Sequence, residues 1–120
     1  MREFLLVALG GALGACGRFG VNLLAPWGGA GLPWGTLGVN VLGGLVMGAL
    51  FALAADNRAL LLFGGVGLLG GFTTFSAFSM ETVRLIERGD VGLAGLYAAL
   101  SVLLSVGAAF AGYMAARSFA

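Results

Sequence analysis

The residues most able to carry chemistry are clustered in the segment 70–78, which reads GGFTTFSAF. Its hydroxyls, from Thr74, Ser76 and their neighbours, can donate to an anion or accept from backbone amides. Phe75 and Phe78 are three residues apart and would share a helix face, where the positive edges of their rings could also contact an anion. Two phenylalanines at this spacing are, however, more commonly packing residues, so both interpretations stay open.

Glycines and β-branched residues within this segment are expected to weaken a helix. We therefore predict a break in the helix near Gly70 and Thr73, which would free backbone carbonyl groups. Free carbonyls could hold a cation, or a contact with a neighbouring helix could satisfy them. Because irregular backbone is tolerated at membrane depth only where it is buried or lines a cavity, the segment is a candidate functional site.

Three other polar residues lie within apolar runs. Asn40 offers two donors and one acceptor, and it could either join two helices or donate to a bound anion. Arg18 could snorkel to the membrane surface, lie at the entrance of an anion path, or bind backbone carbonyls at a subunit interface. Glu81 is the only carboxylate embedded in an apolar run, and it lies near the end of that run.

The elements that must position these residues are four apolar helices. The chain of 120 residues is 60% apolar and only 9% charged, which is too few charges to cover a water-facing surface. Runs of about 20 apolar residues are typical of membrane-spanning helices. We predict an all-α integral membrane protein with a single domain, residues 1–120, and helices at about 4–24, 34–55, 59–85 and 91–116, the third broken in mid-membrane.

Charge excludes some functions and leaves the topology open. A net charge of +1 provides no broad electrostatic surface for nucleic acid. No histidine, nucleophile–base set or metal-ligand spacing indicates an enzyme. Because the arginines are nearly balanced between the two sides of the membrane, they give little preference for orientation. Insertion in both directions to form an antiparallel dimer and a weakly determined single orientation are both compatible with this balance.

Small residues spaced four apart favour close helix contacts. Since four short-looped helices are few for enclosing a pore, we expect an oligomer. A small proton-coupled exporter of cationic drugs or guanidinium is the main alternative, but it would need a carboxylate in the first span. A structural subunit of a larger membrane complex is a second alternative, although it would not require this set of polar residues.

Three motifs resemble those of the Fluc (CrcB) family of bacterial fluoride channels. Residues 10–19 (GGALGACGRF) are similar to the family pattern GGxxGAxxR(Y/F), residues 35–43 (GTLGVNVLG) to GTLxxNxxG, and residues 67–78 (GLLGGFTTFSAF) to GxxGGxTTFSTF. Length, span number and loop lengths fit across the whole chain. The sequence departs from the third pattern at Ala77, where the family usually has Thr.

The resemblance implies a fluoride-selective channel that lets fluoride leave the cytoplasm by passive diffusion, relieving fluoride toxicity. It implies a dual-topology antiparallel homodimer in the bacterial inner membrane, with two fluoride pathways. The residues implied to contribute to the pathways are Asn40, Thr74, Phe75, Ser76, Phe78, Glu81 and, by spacing alone, Ser105. Arg18 corresponds to the arginine of the first motif. A structural sodium ion is implied between subunits, bound by the backbone carbonyls of Gly70 and Thr73.

Overall fold

The computed structural model describes all 120 residues, and its regular elements are all helical. The helices are α1 (Arg2–Leu24), α2 (Trp34–Leu53), α3 (residues 58–72), α4 (Phe75–Glu87) and α5 (Val91–Arg117). Within α3, a wider π-helix over Leu61–Leu69 separates two short α-helical turns. Four stretches are long and apolar enough to span a membrane: α1, α2, α3 together with α4, and α5. The prediction of four helices capable of spanning a membrane is therefore confirmed.

Local sequence explains where several helices begin and end. The Asn57 side chain accepts a hydrogen bond from the Leu60 amide and caps the start of α3. Gly89 follows the end of α4 with a φ of 86°, a left-handed conformation that glycine adopts without steric cost. Each of these residues lies in a short polar turn between two apolar runs.

Close contacts between helices depend on glycine. A Cβ added to Gly10 or Gly14 of α1 would overlap backbone carbonyl oxygens of α3. In the same way, Gly48 of α2 packs directly against the backbone of α5. At these contacts the backbones of two helix pairs, α1 with α3 and α2 with α5, touch directly, as small residues commonly allow in membranes.

Little of the chain is shielded from its surroundings. Only 21 of the 120 residues are buried, and many large apolar side chains are exposed along α1, α2 and α5. A small buried cluster lies near one end of the bundle, where Leu37, Leu85, Ala94 and Tyr97 pack together. An apolar surface of this extent is suited to contact with lipid and with other subunits rather than with water.

The connection between α3 and α4 has extended backbone. Thr73 has φ −79° and ψ 156°, and Thr74 has φ −151° and ψ 119°. Helical backbone resumes at Phe75. This two-residue linker, Thr73–Thr74, lies beside α2, and the backbone amide and carbonyl of Thr74 face Asn40 of that helix.

Candidate functional site

A groove of about 360 Å³ lies between α2, the Thr73–Thr74 linker, α4 and α5. Its walls combine small, apolar and uncharged polar residues: Asn40, Gly43, Gly44, Met47, Thr73, Thr74, Phe75, Phe78, Ser101, Val102, Ser105 and Val106. Five of the residues expected to line an anion path, Asn40, Thr74, Phe75, Phe78 and Ser105, therefore share one groove. No charged side chain lines it.

Asn40 holds the linker to α2. Its Nδ2 donates to the Thr74 carbonyl at 2.9 Å, and its Oδ1 accepts from the Thr74 amide at 2.7 Å. Because Thr74 is extended, its amide and carbonyl lack helical backbone partners, and the Asn40 side chain bonds both of them instead. Since an asparagine amide has two N–H groups and this pairing uses one, the second remains to donate elsewhere.

The hydroxyl of Thr74 caps the N-terminus of α4. Thr74 Oγ1 accepts from the Ala77 amide at 3.1 Å and lies 3.2 Å from Ser76 Oγ. This is the usual arrangement of an N-cap, which supplies an acceptor to the first free amides of a helix. Ser76 contributes to the cap but does not line the groove. Ala77 takes part through its backbone amide, so this contact does not require the threonine usual in the family pattern.

Two carbonyls near the linker lose their regular helical donors. In an uninterrupted α-helix, the Thr74 amide would donate to the Gly70 carbonyl and the Ala77 amide to the Thr73 carbonyl. Here the first amide donates to Asn40, and the second donates to the Thr74 hydroxyl. Gly70 itself has helical dihedral angles, φ −63° and ψ −37°, so the extended backbone begins three residues after it.

Three aromatic rings form a continuous series along one side of the site. The Phe75 and Phe78 centroids are 5.2 Å apart with a 52° angle between ring planes, and those of Phe78 and Tyr97 are 5.3 Å apart with a 53° angle. Tilted rings direct positive edges into the space beside them. Phe75 is 78% exposed, so apart from its contact with Phe78 most of this ring is left uncovered by its own chain.

Glu81 is bound by two hydroxyl donors from other helices. Thr36 Oγ1 donates to Glu81 Oε1 and Tyr97 OH donates to Oε2, each at 2.7 Å. Thr36 and Tyr97 are both buried. The network connects α2, α4 and α5 at the end of the aromatic series, and it places the carboxylate outside the groove lining.

Ser101 and Ser105 have buried hydroxyls with no hydrogen-bond partner within the chain. Most buried polar side chains are hydrogen-bonded, so unpartnered ones call for an explanation such as a bound ion or water. Both hydroxyls belong to groove-lining residues. Sequence reasoning missed Thr36, Tyr97 and Ser101, although Tyr97, Ser101 and Ser105 recur every four residues and so mark one polar stripe on α5.

Arg18 lies away from the groove. Its Nε donates to the Gly71 carbonyl at 3.2 Å, which joins α1 to the end of α3. The structure therefore shows Arg18 bound to a backbone carbonyl within the chain, and its place at a subunit interface stays a prediction. The structure contains no cluster of three or more His, Cys, Asp or Glu side chains that could hold a metal ion.

Four apolar spans, three of which border an uncharged groove with aromatic, amide and hydroxyl groups, define a small multi-pass membrane protein with a candidate path for an ion. A family model described as "CrcB-like protein, Camphor Resistance (CrcB)" matches residues 5–113, and the chain belongs to this family. The resemblance noted in the sequence is thereby confirmed.

Curated relatives cover essentially the whole chain. A protein of Hyphomonas neptunium named "Fluoride-specific ion channel FluC" is 52% identical over 130 residues, covering 100% of both chains. Proteins with the same name from a Ruegeria species and from Thermus thermophilus are 54% and 48% identical, covering 92% and 94% of this chain and 91% and 94% of their own. The prediction that the chain is not an enzyme agrees with these names.

Proposed function

We propose that the chain forms a fluoride-selective channel, which lets fluoride leave the cytoplasm by passive diffusion and so relieves its toxicity. The observation that carries this proposal is the pair of buried, unpartnered hydroxyls of Ser101 and Ser105 in a groove without charged side chains. Family membership and the printed names of the relatives support the same function.

The proposed path replaces the water around fluoride with weak, closely spaced donors. These are the serine hydroxyls, the second N–H of Asn40 and the positive edges of the Phe75 and Phe78 rings. Because no full positive charge lines the groove, the ion would bind strongly enough to enter and weakly enough to leave. Glu81, held by its two hydroxyl donors, would anchor one end of this polar stripe.

The remaining candidate residues would have structural roles within the chain. We assign Thr74 and Ser76 to fixing the start of α4, so that Phe75 and Phe78 project from a defined helix turn. Arg18 would fix α1 against the end of α3 through the Gly71 carbonyl rather than contact the ion. No observation favours the alternative of a proton-coupled exporter, since α1 carries no embedded carboxylate beyond its first turn.

The active unit would be an antiparallel homodimer with dual topology in the bacterial inner membrane. The exposure of the Phe75 ring supports a second subunit, because a ring that lines a pore requires a wall opposite it. The balance of arginines between the two ends supports insertion in both orientations.

Labelling of one introduced cysteine tests the orientation. In a Cys16→Ser background, Ala30→Cys places a thiol in the exposed loop between α1 and α2. We expect a membrane-impermeant reagent to label about half of the protein from each side. Labelling from one side only would contradict dual topology.

A structural sodium ion would lie between the two subunits, at the helix interruption that we place in mid-membrane. The Gly70 and Thr73 carbonyls fit this role because both lack their regular helical donors, and hard cations prefer oxygen ligands. Bound sodium would neutralise these carbonyl dipoles and hold the linkers together. We expect the midpoint of thermal unfolding to rise with added sodium and not with the same concentration of choline. Identical unfolding midpoints in the two salts would contradict a structural sodium ion.

Fluoride efflux from liposomes that contain the purified protein tests the function itself. We expect rapid loss of fluoride, little loss of chloride, and no requirement for a proton gradient. Equal flux of the two halides, or transport that depends on a proton gradient, would refute the proposal.

A further inference from the structure

A second, more polar cleft lies at the end of the bundle where α1 ends and α2 begins. Its volume is about 410 Å³, and it is lined by Trp27, Gly28, Gly29, Arg84, Glu87 and Arg88. None of these residues lines the groove of the candidate ion path. The cleft is therefore a separate feature, formed by the loop after α1 and the last turns of α4.

The arginines in this cleft form no ion pair within the chain. The single ion pair of the chain joins Arg58 to Glu3 at 2.6 Å, and it lies at the opposite end of the bundle. Glu87 is adjacent to Arg88 in the chain, yet it forms no ion pair with either cleft arginine. The guanidinium of Arg84 makes no ion pair within the chain and lines the cleft, so it is free to bind an external anion.

Arg88 gives the cleft its shape. Its Nη1 donates to the Gly29 carbonyl, which joins the end of α4 to the loop. Gly29 has a φ of 85°, and the neighbouring Trp27 folds the same loop by donating from Nε1 to the Gly31 carbonyl at 3.1 Å. A defined loop thus holds an indole ring beside the two guanidinium groups.

The chemistry of the cleft matches a phosphate group. Guanidinium groups bind phosphate oxygens with paired N–H donors, and the cleft is far larger than a halide ion. Apolar residues at the same end, Leu23 and Leu24 of α1 and Trp34 of α2, are exposed, Leu24 by 89%. Tryptophan and arginine at the ends of apolar helices are typical of the level of lipid headgroups.

We propose that this cleft binds the phosphate headgroup of an anionic membrane lipid. The headgroup would contact Arg84 and the free N–H groups of Arg88, and Trp27 would lie against the glycerol region. An acyl chain would extend along the exposed leucines at the end of α1. Glu87 lowers the positive charge of the cleft and would weaken binding of the lipid.

The fluorescence of Trp27 provides a direct measurement. The chain contains two tryptophans, so Trp34→Phe leaves Trp27 as the only indole. We would titrate the purified full chain in detergent with phosphatidylglycerol, phosphatidylcholine and inorganic phosphate. A saturable change is expected with phosphatidylglycerol alone.

Matched variants separate the cleft from general surface charge. Since one arginine near an anionic surface contributes about a five-fold factor in affinity, Arg84→Gln should weaken phosphatidylglycerol binding about five-fold. Arg117→Gln, which removes an arginine at the opposite end, should change it less than two-fold. Glu87→Gln should tighten phosphatidylglycerol binding, because it removes a negative charge from the cleft. If Arg84→Gln does not fold, this second variant tests the cleft in its place.

Several results would overturn the proposal. Equal binding of phosphatidylcholine would show that headgroup charge is not recognised. Displacement of the lipid by inorganic phosphate at similar concentration would identify a site for free anions. Equal losses in Arg84→Gln and Arg117→Gln, or no change in Arg84→Gln and Glu87→Gln, would remove the cleft from lipid binding.

Discussion

Replacing Asn40 with aspartate separates its two possible roles. In Asn40→Asp, one carboxylate oxygen can still accept from the Thr74 amide, but the donor to the Thr74 carbonyl is lost. The loss leaves a backbone carbonyl without this partner, which costs about 1–3 kcal/mol. The variant also introduces a negative charge into a groove that otherwise has none.

The introduced charge should dominate the effect on transport. A unit negative charge about 4 Å from a passing anion costs about 4 kcal/mol at an effective dielectric constant of about 20. An added barrier of that size corresponds to about a 10³-fold loss of rate. We therefore expect fluoride efflux from liposomes to fall by about three orders of magnitude, while the thermal midpoint falls only modestly.

Asn57→Asp is the matched control for this substitution. Asn57 lies in an exposed turn, where its side-chain oxygen caps α3 by accepting from the Leu60 amide. Aspartate caps helices as well as asparagine does, so the control should retain both stability and flux. Fluoride efflux in Asn40→Asp at the level of this control would refute the assignment of Asn40 to the ion path.

Three further substitutions test separate parts of the structure. Ser105→Ala should lower fluoride efflux about tenfold, since one hydrogen bond to an ion contributes about 1.5 kcal/mol or more, and it should leave the thermal midpoint unchanged because the hydroxyl has no partner in the chain. The exposed Ser118→Ala is its control, and a loss of stability without a loss of flux would indicate a structural role. Gly14→Ala should destabilise the fold by about 2 kcal/mol or more, because its Cβ would overlap the α3 backbone. Gly20→Ala, with open space around it, should be neutral or stabilising, so equal thermal midpoints for the two glycine variants would count against a close α1–α3 contact. Tyr97→Phe removes one of two donors to a carboxylate and should cost about 1–3 kcal/mol, and an unchanged unfolding midpoint would show that this hydrogen bond contributes little.

Much of the fold follows from hydropathy alone. Four apolar runs separated by short polar turns require four helices in a membrane, because the backbone must satisfy its own hydrogen bonds there. Motif resemblance also identified Asn40, Phe75 and Phe78, which the structure brings to one groove. Local residue types could not reveal the π-helix over Leu61–Leu69, because apolar composition does not distinguish i→i+5 from i→i+4 hydrogen bonding.

The sequence by itself determined the class of protein, through an apolar composition that only a membrane environment accommodates and a polar segment that is costly within it. Tertiary structure alone decided which polar groups meet. Thr36 bonds Glu81 across 45 positions of the chain, and Asn40 bonds Thr74 across 34. Such pairs depend on how helices cross, and helix crossing is set by backbone contacts at glycines that no single segment specifies.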